Sequence, residues 1–225
     1  MNAPAPAWSR PETDHPRMKL VLAALKLFAE KGFEGASTRE IADAAKANVS
    51  AIRYYFGDKA GLYRAAFTEL KGAAEGHCAN LDPATPLPQA LCMFFAEFLA
   101  PLKAGEAVRL VMKLHFREMV EPTGAWEQEI EAEIKPQQDM MVRMLVRHFG
   151  IDAPDIDAQR LAFAIVGMAV QYYVGQDVVN AIAPEILAGP QAIDALAERL
   201  GAYALAMIEA EAQRRGCEPR AGTAA

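Results

Sequence analysis

Ser37, Asn48 and Asp58 constrain this chain more tightly than any other feature of its sequence. Each is a short polar residue of the kind that begins a helix. Ser37-Thr38-Arg39-Glu40 reads as a capping box, in which Ser37 accepts from the amide of Glu40 and Glu40 reaches back to Ser37. It predicts a short helix over 38–45, with Ile41 and Ala42 inward. A break near Lys46 and Ala47 follows. Asn48 then caps a third helix that ends near Phe56, and Ile52 and Phe56, four apart, share its buried face. Asp58 caps a longer helix carrying Leu62, Ala66 and Leu70. Upstream, residues 17–31 place Val21, Ala24, Leu25 and Phe28 on one face, and Gly32 is the stop.

Two short helices joined by a tight turn, the second exposed on one side, make a helix-turn-helix, whose second helix enters the DNA major groove. Ile52 and Phe56 anchor that helix, which leaves Ser50, Ala51, Arg53 and Tyr54 to face a groove. Arginine can read guanine through two hydrogen bonds, and small residues allow close approach. Tyrosine hydroxyls and Lys59 suit phosphate oxygens. The plainer alternative is that Tyr54 and Tyr55 pack between helices.

These elements together resemble the N-terminal domain of the TetR family of bacterial transcriptional regulators. The resemblance runs without a gap over residues 17–67 and is carried by residues 21–28, Lys31-Gly32-Phe33, residues 37–42 and residues 52–62. It implies an all-α homodimer with a DNA-binding head (17–71) and a ligand-binding and dimerisation body (72–216), between a disordered arm (1–16) and a disordered tail (217–225). It places Ser37, Thr38 and Arg39 at phosphate and Asn48, Ser50, Ala51, Arg53 and Tyr54 on or beside the recognition helix. Tyr55 stands for the family's usual histidine or tyrosine phosphate contact, and Lys59 for its lysine at the start of the fourth helix.

The sequence departs from the family pattern twice. Lys46, Ala47 and Asn48 stand where Gly, Val and Ser are usual. Glycine suits a turn of positive φ, and lysine there costs roughly 1 kcal/mol, so either the turn is reshaped or the strain is tolerated. Arg53 stands where tyrosine is common, which puts a charged donor on the reading face and implies a different operator.

Beyond residue 72, helices are expected at about 87–103, 106–120, 124–149, 155–180 and 190–214, with Pro136 forcing a kink or break. Arg117 to Thr123 and Glu133 to Pro136 resemble the TetR subfamily with a CecR-like C-terminal domain. Met112, His115, Phe116, Met119, Met140, Met144, Gln171 and Tyr172 are candidates for a pocket taking an apolar or aromatic effector, because methionine adapts to varied apolar shapes. Ordinary core packing is the competing reading for each. Leu161, Ile165, Met168, Leu196, Leu200, Tyr203 and Met207 fall where the family forms its four-helix dimer interface, with packing inside their own body as the alternative.

The net charge of −6 is unevenly distributed. Residues 1–71 hold 11 Lys/Arg against 8 Asp/Glu, and the remainder 12 against 21. A basic head on an acidic body fits a protein that meets phosphate at one end only. The proline-rich start reads as a solvated arm, with Arg10 and Arg17 as possible minor-groove contacts. No apolar run reaches the roughly 18 residues of a membrane span. Cys78, Cys92 and Cys217 form no CxxC pair, so a reduced cytoplasm is expected, with no metal and no cofactor. No P-loop, GxGxxG, HExxH or GxSxG motif suggests an enzyme. A helical adaptor without DNA affinity is the alternative class, with a helical enzyme behind it.

Overall fold

In the computed structural model, residues 15–69, 82, 84–123, 127 and 130–216 are described. Residues 1–14 of the arm, the tail, Leu70, Cys78 and Cys217 lie outside them. Every regular element among the described residues is helical. The chain forms two compact units.

The first unit is built from α1 (Pro16–Gly35), α2 (Thr38–Ala44), α3 (Val49–Phe56), α4 (Lys59–Thr68) and α6 (Glu106–Val120). The sequence places α6 in the body, yet it packs with the head. Val111 and Leu114 of α6 join one core with Leu25 and Phe28 of α1, Ile41 of α2, Ile52 of α3 and Leu62 of α4. Each such side chain, fully buried, contributes about 1.5–3 kcal/mol.

All three expected caps are present. Ser37 Oγ accepts from the Glu40 amide at 3.1 Å, and the Glu40 carboxylate accepts from the Ser37 amide at 3.0 Å. Asn48 Oδ1 accepts from the Ser50 amide at 2.9 Å, and Asp58 Oδ1 from the Gly61 amide at 2.7 Å. The regular helix of α1 stops at Gly32, whose φ of 76° and ψ of 175° is a conformation open essentially only to glycine. The α2–α3 turn runs through Lys46 at φ 53°, so the lysine does adopt the left-handed conformation that disfavours a side chain.

The second unit comprises α5 (Leu87–Lys103), a π-helical turn (Ile130–Ile134), α7 (Lys135–Phe149), α8 (Ile156–Val174), α9 (Gln176–Ile182), a 3-10 turn (Pro184–Leu187) and α10 (Pro190–Arg214). Its core gathers Phe94 and Phe95 of α5, Met141 and Leu145 of α7, Ile165 of α8 and Ile208 of α10. The break expected at Pro136 takes the form of the π-helical turn, which leads into α7 with the proline in its first turn. There the missing N–H leaves no hydrogen bond unmade. The helix expected over 155–180 instead ends at Gly175, and α9 departs at 74°. No single described helix is long and apolar enough to cross a membrane; only the bent α8–α9 pair passes together on length and composition.

Around the start of α8, Asp155 caps the helix by accepting from Ala158 N at 2.8 Å and receives two hydrogen bonds from Arg215, at 2.6 and 2.9 Å. That guanidinium also lies over the Phe149 ring, 4.7 Å from its centre. The pairing with Arg215, with help from the Ala158 amide, holds the Asp155 carboxyl well below the usual carboxylate range.

Candidate nucleic-acid interface

The cap at Asn48 and the anchor at Ile52 fix which face of α3 stays bare. Ile52 is buried, and Phe56 is half-buried under the Arg17 guanidinium, 5.0 Å from the ring centre. Val49, Ser50, Arg53 and Tyr54 are exposed, and Tyr54 is 82% exposed. Apart from an edge contact with the Tyr55 ring at 4.9 Å, Tyr54 turns its ring to solvent. Among the described residues Arg53 makes no ion pair, so its guanidinium is available.

Tyr55 behaves differently. It is half-buried, edge-on to Tyr54 at 4.9 Å and to His15 at 6.1 Å. Of the two tyrosines, Tyr54 is the exposed one and Tyr55 the packed one. Ser50 donates its hydroxyl to Asn48 Oδ1 at 2.8 Å, which makes it part of the cap. Ala51 is half-buried.

Two helix N-termini flank α3. At α2, Ser37 and Arg39 are exposed and Thr38 is half-buried. Lys31 pairs with Glu40 at 2.8 Å, and this contact together with the Ser37 amide and hydroxyl holds the Glu40 carboxyl down at about 2. Amides at a helix start suit phosphate oxygens. At α4, the Lys59 ammonium lies 4.5 Å from the centre of the Phe33 ring, a cation–π contact. Arg17, a candidate arm contact, instead clamps Glu69 through two hydrogen bonds of 2.5 and 2.7 Å. Arg10 lies outside the described residues.

Glu118 of α6 is fully buried. It accepts from the Tyr63 hydroxyl, from Thr123 Oγ1 at 2.7 Å and from Thr123 N at 3.1 Å. Burial, followed by the hydrogen bond to Glu118, pushes the Tyr63 hydroxyl far above its usual range, so it stays a donor. Sequence reading missed this group, since nothing in a lone glutamate on an amphipathic helix marks it as internal.

The effector candidates separate between the units. Met112, His115, Phe116 and Met119 lie on α6 of the first unit, where the His115 ring stacks on Phe67 at 5.7 Å. Met140 and Met144 are buried in α7, with Gln171 and Tyr172 on α8, in the second. Among the interface candidates, Ile165, Leu196 and Leu200 are buried in the second unit's own core within a single chain. Leu161, Met168 and Met207 are half-buried against that core. Tyr203 is 53% exposed, and Phe163 of α8 is 63% exposed. Among the described residues no cluster of three His, Cys, Asp or Glu is placed to hold a metal.

A capped recognition helix with one bare face, held between two flanking helix starts, defines a helix-turn-helix DNA reader. Comparison with known proteins specifies it further. Residues 20–66 match the model of the bacterial regulatory proteins of the tetR family. Residues 87–210, more than half of the chain, match the C-terminal domain of the HTH-type transcriptional dual regulator CecR. The chain belongs to the TetR family of transcriptional regulators, in the group with a CecR-type C-terminal domain.

Among curated proteins, it is 28% identical to the dual regulator CecR of Shigella flexneri over 174 residues, 72% of this chain and 78% of that one. It is 42% identical over 66 residues to the probable regulator YttP of Bacillus subtilis, covering 29% of this chain and 30% of that one. Solved structures share the fold. A transcriptional regulator from Rhodococcus superposes with a TM-score of 0.56 at 18% identity, covering 84% of this chain and 96% of that one. FadR of Bacillus subtilis in complex with stearoyl-CoA gives 0.58 at 17%, covering 84% and 98%.

Proposed function

We propose that this regulator is a cytoplasmic homodimeric repressor that binds a palindromic operator through α3 and leaves it when a small apolar or aromatic effector binds. The observation that carries the DNA half of this reading is the bare face of α3, where Arg53 and Tyr54 stand uncovered beside a buried Ile52. Arg53 would read a guanine, Tyr54 would contact backbone or base, and the α2 start with Ser37, Thr38 and Arg39 would hold phosphate. Two copies would present two recognition helices to half-sites about one helical turn apart, or a multiple of it. The subunit contact would use the exposed faces of α8 and α10, around Phe163 and Tyr203, rather than the residues already committed to the core.

Effector binding is assigned to the second unit, near Met140, Met144 and Tyr172. Glu97 of α5 and Gln138 of α7 support a polar group on the effector, because Glu97 Oε2 and Gln138 Nε2 are buried without a hydrogen-bond partner among the described residues. An unmade buried hydrogen bond costs about 1–3 kcal/mol, which a ligand could recover. The effector would bind the DNA-free form more tightly, with a coupling of about 1–3 kcal/mol.

Selection of binding sites from randomised duplex DNA, at two salt concentrations, tests this. Enrichment of a palindrome bound by a dimer supports it. Weak, unselective binding that vanishes as salt rises overturns it and favours a helical adaptor.

A further inference from the structure

We propose that the groove between α1 and the α2–α3 turn is a second phosphate-binding surface, which grips the operator backbone outside the base pairs read by α3. The proposal rests on the reading of this chain as a DNA-binding regulator and extends its footprint. The groove has a volume of about 950 Å³. Leu22 and Ala51 contribute to an apolar floor that suits deoxyribose, while Lys19, Lys26 and Lys46 bring ammonium groups to its lining.

Three observations favour DNA as the occupant. The first is charge. Lys26 and Lys46 are exposed and make no ion pair among the described residues, whereas Lys31, on the same α1, is held by Glu40. The second is continuity. Asn48, Ala51 and Tyr55 line the groove and also belong to α3 or its cap, so a strand leaving the recognition face has an unbroken path into it. The third is strain. Lys46 keeps a lysine at φ 53°, where glycine would sit without penalty. An outlier of this kind on the rim of a basic groove points to a use for its ammonium.

The test uses the full-length protein, the selected operator duplex and an unrelated duplex of equal length. Affinity is measured by fluorescence anisotropy from 50 to 200 mM salt for the wild type, Lys46→Gly, Lys26→Ala and Arg53→Ala. Neither lysine substitution threatens the fold, since glycine suits the turn and alanine suits an exposed helix position. Lys46→Gly and Lys26→Ala are expected to weaken both duplexes by the same factor. Over the fourfold salt range each variant should lose about 3.5-fold less affinity than the wild type for each phosphate contact removed. Unchanged salt dependence in both, while Arg53→Ala still loses selectivity, would overturn the groove proposal and leave the regulator reading standing. Unchanged DNA binding with lost binding of polyglutamate would overturn it in favour of an acidic polypeptide. A wild type that selects no operator would remove the underlying reading itself.

Discussion

Tyr63 on α4 donates its phenolic hydrogen to Glu118 on α6, and both residues are shut off from solvent. A fully buried carboxylate group is costly unless its oxygens are satisfied. Here Tyr63 and Thr123 together supply three donors. Glu118→Ala is expected to destabilise the first unit by about 1–3 kcal/mol, because it strands the Tyr63 hydroxyl in an apolar setting. Tyr63→Phe should cost less, and the double variant should cost less than the sum of the two. Urea unfolding of the four proteins measures this coupling, and strict additivity would mean that the two side chains act independently.

A Cβ placed on Gly61 would stand 2.0 Å from the carbonyl oxygen of Phe56, a backbone atom that cannot swing aside. Gly61→Ala should therefore force α3 and α4 apart at their junction. The expected loss exceeds the roughly 1 kcal/mol typical of point substitutions. A thermal midpoint equal to that of the wild type would show that the junction can relax.

Glu40 ties stability to acid. Its carboxyl titrates at about 2 in the folded chain, below the ordinary 4.5, first because of Lys31 and then because of Ser37. The sign follows from that direction. The contribution is complete above about pH 4.5 and is lost as pH falls towards 2. Urea midpoints of the wild type should drop more steeply across this window than those of Glu40→Gln. Parallel curves would remove Glu40 from the acid response.

Arg53→Ala should weaken operator binding by about 1–3 kcal/mol and relax discrimination at one base position. Arg53→Lys should recover the salt dependence and only part of the selectivity, since lysine lacks the planar fork. Binding competition among operator variants measures both. Equal selectivity in all three proteins would move base reading to Tyr54 or Ser50.

The head was legible in the sequence because its signals are local. A cap at Asn48 or a box at Ser37 is written within four residues, whereas the sequence left a reshaped turn and a strained one equally open at Lys46, and only its φ of 53° separates them. Ile165, Leu196 and Leu200 were harder, because an apolar stripe at helical spacing looks the same whether it meets its own core or a second subunit. Which of the two holds depends on residues distant in sequence, such as Phe94 and Leu145. Glu118 was invisible for a related reason. Its partner Tyr63 lies 55 residues away, and only the fold brings them together.

That α6 belongs with α1 and α4 has a practical meaning for anyone who would exchange parts between regulators. The familiar boundary, drawn after α4, would cut away Val111 and Leu114 from the core they complete and leave Tyr63 with no acceptor. A reading head grafted onto a foreign sensor would thus need to bring along a helix encoded in the sensor's half of the gene. Modularity in this protein is a property of its folded surfaces, and the order of its codons does not reveal it.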